Sequence, residues 1–211
     1  MSELRIIEQG LVPYEEAWEF QRSLHAQRLA GETPDTLVLL EHPPVYTFGK
    51  NAGKANLLDP RDAQVIQSDR GGDITWHGPG QMVGYPIFNL EDHKKSVSWY
   101  MRNLEEVIIQ TLAQFEITAD RISGMTGVWV DDTKVCAMGV RLSRWVTMHG
   151  FALNVGPDMS YFNGMIPCGI QGKGVISMRE LLGRDIEIKE VRPVLIQAFK
   201  TTFGFDQISK R

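Results

Sequence analysis

Cysteine is scarce in this chain: Cys136 and Cys168 are the only two among 211 residues. Two thiols cannot staple a protein of this length, so a disulfide framework is excluded and the question becomes whether either thiol reacts. Long apolar runs are missing too, which excludes a membrane-spanning helix. The opening residues, Met1 to Glu8, hold no apolar h-region and no Arg/Ser-rich, acid-poor leader. They enter a strand-like pattern at once, and a cytoplasmic protein with no membrane partner is expected. Positive charge is in deficit, 22 Lys and Arg against 26 Asp and Glu scattered along the chain, so the basic face of a nucleic-acid binder is not expected. The histidines lie far apart and no Cys-x-x-Cys or His-Glu-x-x-His spacing occurs, so no metal site is expected. There is no Walker A motif, and Gly71-Gly72 and Gly172-Lys173-Gly174 are too short to cradle phosphates. Internal repeats and low-complexity tracts are absent.

What is present is one dense stretch, Arg70-Gly71-Gly72-Asp73-Ile74-Thr75-Trp76-His77-Gly78-Pro79-Gly80-Gln81. Glycines permit positive φ and close approach of a ligand to the backbone. Interleaved with them are Arg, Asp, Thr, His and Gln, a mixture that an ordinary core strand or helix does not accept. Gly78-Pro79-Gly80 closes the stretch as a tight turn, and Met82 to Phe88 follows as a buried strand. A polar, glycine-built wall beside an apolar strand suits one side of a ligand pocket.

Periodicity sets out the remaining elements. Leu4 to Gln9, Thr36 to Leu40, Val45 to Gly49 and Val65 to Ser68 read as strands, and Pro13 to Leu24 as an amphipathic helix stopped by Gly31 and Pro34. Ser96 to Phe115 reads as the strongest helix, capped by Ser96 or Ser98. Gly127 to Val130 and Lys134 to Val140 flank a hairpin turn at Asp131-Asp132-Thr133, whose carboxylates look like solvated turn residues. Trp145 to Val155 is a strand region and Pro157 to Gly174 a loop. A helix runs from Ser177 to Leu182, Ile186 to Ile188 forms a brief strand, and Val191 to Phe203 closes the chain as a helix. The expectation is a single domain over 1–211 of α+β class, with antiparallel hairpins in place of alternating βα units.

The two thiols differ in setting. Cys168 sits between Pro167 and Gly169, in a loop that can expose a thiol and fix it, so it is the candidate nucleophile, with an inert structural thiol as the alternative. Cys136 lies in an apolar strand, where a free Cys behaves as a small hydrophobe. A nucleophilic Cys must be a thiolate. His77, His149 and Lys134 are the candidate helpers, and spacing does not choose among them. A Lys ammonium about 4 Å from the sulfur gains about 4 kcal/mol at an effective dielectric of 20. That lowers the thiol pKa by up to roughly three units, less what desolvation takes back.

Taken together, several segments resemble the lipoyl(octanoyl) transferases of lipoate biosynthesis. They are Arg70 to Gln81, Gly127 to Val130, Lys134 to Val140, Trp145 to Asn154 and Pro167 to Ile170, in the family's order, within a match that runs from Thr36 to Leu182. Asp73, Trp76, Cys136 and Met138 fall where that family is expected to vary. The resemblance implies the mixed, largely antiparallel α/β fold shared with biotin and lipoate ligases, its sheet flanked by helices. It implies transfer of octanoyl from octanoyl-acyl carrier protein to a lysine of lipoyl domains, those of 2-oxoacid dehydrogenase E2 subunits and of the glycine cleavage H protein. No ATP and no cofactor are required, and a monomer is expected. By the same resemblance Cys168 is the acyl-thioester nucleophile and Lys134 lowers its pKa. Substrate binding falls to Arg70, Gly71, Gly72, Asp73, Ile74, Thr75, Trp76 and His77, to Ala137, Met138 and Gly139, and to Gly150, Phe151 and Ala152. His149 is a supporting candidate.

Three rival readings stand beside this one. An ATP-dependent ligase of the same fold would activate a free acid and not need Cys168. A non-catalytic domain holding a hydrophobic ligand would show no unusually reactive thiol. A Cys-His hydrolase would release free acid.

Overall fold

A computed structural model describes residues 2–166 and 173–210. The chain opens with β1 (Glu3–Leu11), α1 (Tyr14–Leu29) and β2 (Asp35–Glu41), and β1 pairs with β2 in parallel. The first three elements are thus a βαβ unit, a parallel part of a sheet that is mixed and largely antiparallel, as expected. Pro13, at φ −54°, supplies the entry to α1, and Glu15 and Glu16 near the start with Arg28 in the last turn suit the helix dipole. Tyr14, Ala17, Gln21 and Leu24 form its buried face at the three- and four-residue steps that the sequence shows.

Then come β3 (Val45–Phe48), β4 (Gln64–Gln67), β5 (Thr75–His77), β6 (Gln81–Ile87) and α2 (Val97–Ala113). Ser96 is the cap of α2, its Oγ accepting from Trp99 N at 3.2 Å. The second half holds β7 (Val128–Val130), β8 (Thr133–Ser143), β9 (Val146–Asn154), β10 (Gly174–Val175), α3 (Met178–Leu182), α4 (Ile188–Phe203) and β11 (Gln207–Lys210). Ile186 to Ile188 is not a strand. Ile186 is a core anchor and Ile188 is the first residue of α4, whose start is tied by Glu187 N donating to Glu190 Oε1 at 2.9 Å. Two apolar residues around a Glu mimic strand alternation over a span too short to tell the two apart.

The main sheet runs β10-β8-β9-β6-β2-β1-β11, with β7 also on β8. Its β8/β9, β9/β6 and β6/β2 pairs are antiparallel. Alternation along β2 divides the core. Leu37 and Leu39 face Tyr100, Leu104 and Phe199 of α2 and α4, while Val38 and Leu40 face Ala17 and Leu24 of α1. A second sheet, β4-β3-β5, has a small core of its own built on Tyr46, Phe48, Ile74 and Trp76. Its β5 lies inside the glycine-rich stretch, so that wall is part strand. Among the described residues no helix is long and apolar enough to cross a membrane.

Candidate functional site

A cleft of about 480 Å³ lies where the glycine-rich stretch crosses β8 and β9. Residues 70–75 and His77 form one wall, and the facing surface is Ala137 to Gly139 of β8 with Gly150 to Ala152 of β9. The crossing is close. Gly71 N donates to Val140 O at 2.9 Å, and a Cβ on Gly139 would sit 2.7 Å from Gly71 O. Gly72, at φ +85°, turns the wall where an L side chain would be strained. Asp73 ties the wall down by accepting from Asn56 Nδ2 and from Ile74 N. Arg70 is buried, and its guanidinium donates to Thr47 O at 2.6 Å, to Thr47 Oγ1 and to Gly71 O.

Lys134 enters the same cleft through an irregularity in its strand. Trp129 of β7 pairs with Lys134, but the next pair is Val128 with Cys136. The strand β8 thus carries Val135 as an extra residue, and such a bulge re-aims the side chains on either side of it. Without it Lys134 and Cys136 would share a face. With it Cys136 is fully buried in the core, where burial pushes its thiol well above the usual range, and Lys134 lines the cleft. The Lys134 Nζ lies 4.7 Å from the centre of the Trp129 ring.

At the other end of the cleft His149 is a lining residue, and Asp69 is its partner. Its carboxylate accepts from His149 Nε2 at 2.7 Å and from Arg141. The hydrogen bond from His149 holds the Asp69 carboxyl below its ordinary value, with Arg141 adding to it. Burial lowers the pKa of His149, opposed by Asp69, so its ring is neutral at pH 7 with the proton on Nε2. The His149 backbone is left-handed, φ 57°, and its N–H turns out of the ladder to Gln21 Oε1 at 2.8 Å. His149 pairs with Val140, six positions along β8 from Lys134, or ~20 Å at the rise of an extended strand. The two are at opposite ends of the cleft and not in hydrogen-bond reach.

Most of the residues singled out from the sequence meet here, with one exception inside the described residues. Trp76 does not line the cleft: its ring is buried in the small core, stacked on Tyr161 at 4.8 Å and edge-on to Phe162 at 5.4 Å. Alternation in β5 sends it away from the face that carries His77. Cys168 lies outside the described residues. Met138 and Phe151 line the cleft and also belong to the larger core. The sequence reading missed Gln81, Asn154, Asn51 and the Gly124–Thr126 loop, all of which line it. Gln81 is counted among the polar residues of the glycine-rich stretch but given no role of its own, and Asn154 ends a strand, where an Asn looks like an ordinary terminus. Among the described residues no group of His, Cys, Asp or Glu is placed to hold a metal ion.

Residues 13–200 match the lipoyl protein ligase A/B catalytic domain. An octanoyltransferase of Gloeobacter violaceus is 48% identical over 206 residues, covering 97% of this chain and 92% of its own length. One from a Nostoc species is 47% identical over 203 residues, covering 94% and 91%. Among solved structures, the bi-partite lipoate protein ligase of Thermoplasma acidophilum superposes with a TM-score of 0.77 over 100% of this chain and 86% of its own, at 15% identity, a likeness of fold. The extent of these matches, over a chain whose sheet and cleft are as described, shows that it belongs to the octanoyltransferases of the lipoyl protein ligase A/B catalytic domain family.

Proposed function

We propose that the protein, an octanoyltransferase, carries octanoyl on Cys168 between acyl carrier protein and a lysine of a lipoyl domain, working in the cytoplasm without ATP. The observation that supports this reading most is Lys134. A bulge in β8 puts Lys134 among the residues that line the cleft, with the glycine-rich wall and the β8/β9 surface, and this supports its role beside the nucleophile. In the first step the Cys168 thiolate attacks the thioester carbonyl. The carrier thiolate leaves and takes a proton from Lys134, which becomes neutral. In the second step the neutral amine of the acceptor lysine attacks the Cys168 thioester. The amide forms, the Cys168 thiolate leaves, and the amine proton passes to Lys134. The cycle restores the thiolate–ammonium pair and consumes no other reactant.

The tail has an apolar bed. Ala137 pairs with Ala152 on the face that Gly139 turns to the wall, so two small residues leave room there for the tail, while Met138 and Phe151 pair on the alternate face. Burying the methylenes contributes about 0.8 kcal/mol each, roughly 5 kcal/mol for the chain. Loss of one methylene costs that single increment, so selection for chain length is graded. Octanoyl-acyl carrier protein, a lipoyl domain and no ATP should give the octanoylated domain. Free octanoate with ATP working where the thioester fails would make the protein a ligase and end this reading.

A further inference from the structure

Two buried amides, Gln81 and Asn154, stand between the glycine-rich wall and Lys134. They are cross-strand partners at the ends of β6 and β9. Both are almost wholly buried, 1% and 3% exposed, in a cleft whose facing surface is largely apolar. Gln81 Nε2 donates to Asn154 Oδ1 at 2.9 Å and to Trp76 O at 3.3 Å. With its nitrogen used in this way, Gln81 Oε1 accepts from His77 Nδ1 at 2.8 Å. Hence His77 carries its proton on Nδ1, and its Nε2 faces the Thr47 hydroxyl, which in turn accepts from Arg70. On the far side Asn154 Nδ2 donates to Ile176 O at 3.1 Å, and Ile176 N donates to Lys134 O at 3.0 Å. Val175 pairs with Lys134 in the β10/β8 ladder.

The result is one continuous polar chain: Arg70, Thr47, His77, Gln81, Asn154, Ile176, Lys134. Every amide atom of Gln81 and Asn154 that it uses has a partner of acceptable length. Packing alone does not call for this. Apolar side chains of similar volume fill such a position at equal or lower cost than a buried polar network, and a network is kept where it specifies geometry. β10 is only two residues long, too short to hold its own register, and it follows Cys168 closely in the chain. What fixes it against β8 is its pairing with Thr133 and Lys134, the Gly174 N–H on Asp132 O, the Lys173–Asp132 ion pair and, from β9, the Asn154 amide.

We propose that Gln81 and Asn154 are positioning residues for the transfer: they lock β10, and through it the main chain of Lys134, in register with the His77 wall. This rests on the Cys168–Lys134 reading above. Neither amide takes part in bond making. Their effect is to keep the ammonium at the distance where it ionises the thiol, and to keep that end of the cleft aligned with the wall that seats the acyl donor.

The test uses Asn154→Asp, which keeps the shape but sets a carboxylate oxygen against Ile176 O, and Gln81→Met, which keeps the length and drops the amide. Three quantities are read on each: melting temperature, kcat and KM with octanoyl-acyl carrier protein, and the pH midpoint of Cys168 alkylation by iodoacetamide. The expected result is a kcat at least about tenfold lower, within the ~100-fold that a displacement of ~1 Å costs. KM should stay within about twofold, and the alkylation midpoint should move to higher pH. Asn154→Gln, which keeps both amide functions, should recover part of kcat. The inference is overturned if folded variants alkylate with the wild-type midpoint, whether turnover is unchanged or falls only with melting temperature. Failure of the underlying reading looks different: Lys134→Ala would then leave the wild-type alkylation midpoint in place.

Discussion

Lys134 and Cys136 are two residues apart on one strand, yet Lys134 lines the cleft and Cys136 is sealed in the core. Period-two alternation forbids that arrangement, and the extra residue Val135 permits it. The consequence is a lysine lining the cleft directly before the apolar side chains of Val135 and Cys136. Lys134→Ala should therefore leave the fold intact and slow alkylation of Cys168 at neutral pH, with much of the rate returning at high pH. Lys134→Arg keeps the charge but cannot give up its proton. It should still form acyl-enzyme in a single turnover, more slowly because the carrier thiolate must take its proton from solvent, and then transfer poorly to the lipoyl domain. Normal transfer by the Arg variant would move the proton-acceptor role to another group.

The two thiols should separate cleanly. Cys168→Ala should abolish both turnover and the octanoyl adduct seen by intact mass. Cys136→Ala should keep both and lose on the order of 1 kcal/mol of stability, the scale of a small core deletion. The Cys136 thiol is buried and pushed above its ordinary value, so iodoacetamide should leave it untouched in the folded protein. An adduct on Cys136 in place of Cys168 would overturn the assignment.

Long periodic elements were legible in the sequence: α1 and α2 appear with the buried faces that their spacing shows, and Ser96 caps α2. Short elements were not. β5 is hidden among glycines because three residues carry no period, and β11 is a polar strand recognisable only by its parallel pairing with β1. Ile186 and Ile188 show the same limit, since two apolar residues fit either period. Within the site, the glycine-rich wall announced itself by composition. The bulge at Val135 did not, because a bulge is a mismatch between two strands and neither strand shows it alone. Gln81 and Asn154 were missed for a related reason: their meaning lies in their being opposite one another.

The glycine wall makes a steric prediction. A Cβ on Gly139 would lie 2.7 Å from Gly71 O, a backbone atom that cannot swing aside, whereas one on Gly72 makes only an ordinary contact, 3.6 Å from Arg70 Nη1, but at φ +85°. Gly139→Val should push the wall away from β8 and raise KM for the acyl donor strongly. Gly72→Ala should cost mainly stability, on the order of 1 kcal/mol for a left-handed non-glycine residue. Steady-state kinetics beside urea melts of both variants test this. Equal KM values for Gly139→Val and the wild type would mean the wall is not where the donor sits.

His149 is set ~20 Å along the strand from Lys134, so its loss should act on the wall and not on the thiol. His149→Asn removes the Nε2 hydrogen bond that secures Asp69 beside Arg70. KM should rise, the alkylation midpoint of Cys168 should stay fixed, and stability should fall by about 1–3 kcal/mol for the partner left unmade. A midpoint that moves with this substitution would bring His149 into the proton path.

The buried histidines also set the acid limit of the fold. Burial lowers His42 to about 4, and burial lowers His77 and His149 as well, with the charges of His42 and Arg70 adding to the effect on His77. In the unfolded chain each returns to about 6.5. Below that pH the unfolded state takes up protons that the folded state refuses, so stability falls as pH falls. By pH 5.5 His42 alone should cost about 1.4 kcal/mol, one pKa unit's worth, and the other two add in the same direction. Asp69 has the opposite chemistry and the same sign. Its depressed carboxyl gives stability above the unfolded value near 3.9, which is lost as pH drops through the lower folded value, so its share appears later in the titration. Urea midpoints measured from pH 7.5 to pH 5 should thus decline well before the carboxylate range is reached. In His42→Asn the decline should be shallower, because one proton is removed from the balance. A midpoint that stays flat down to pH 5 would mean these rings are not held neutral by the fold.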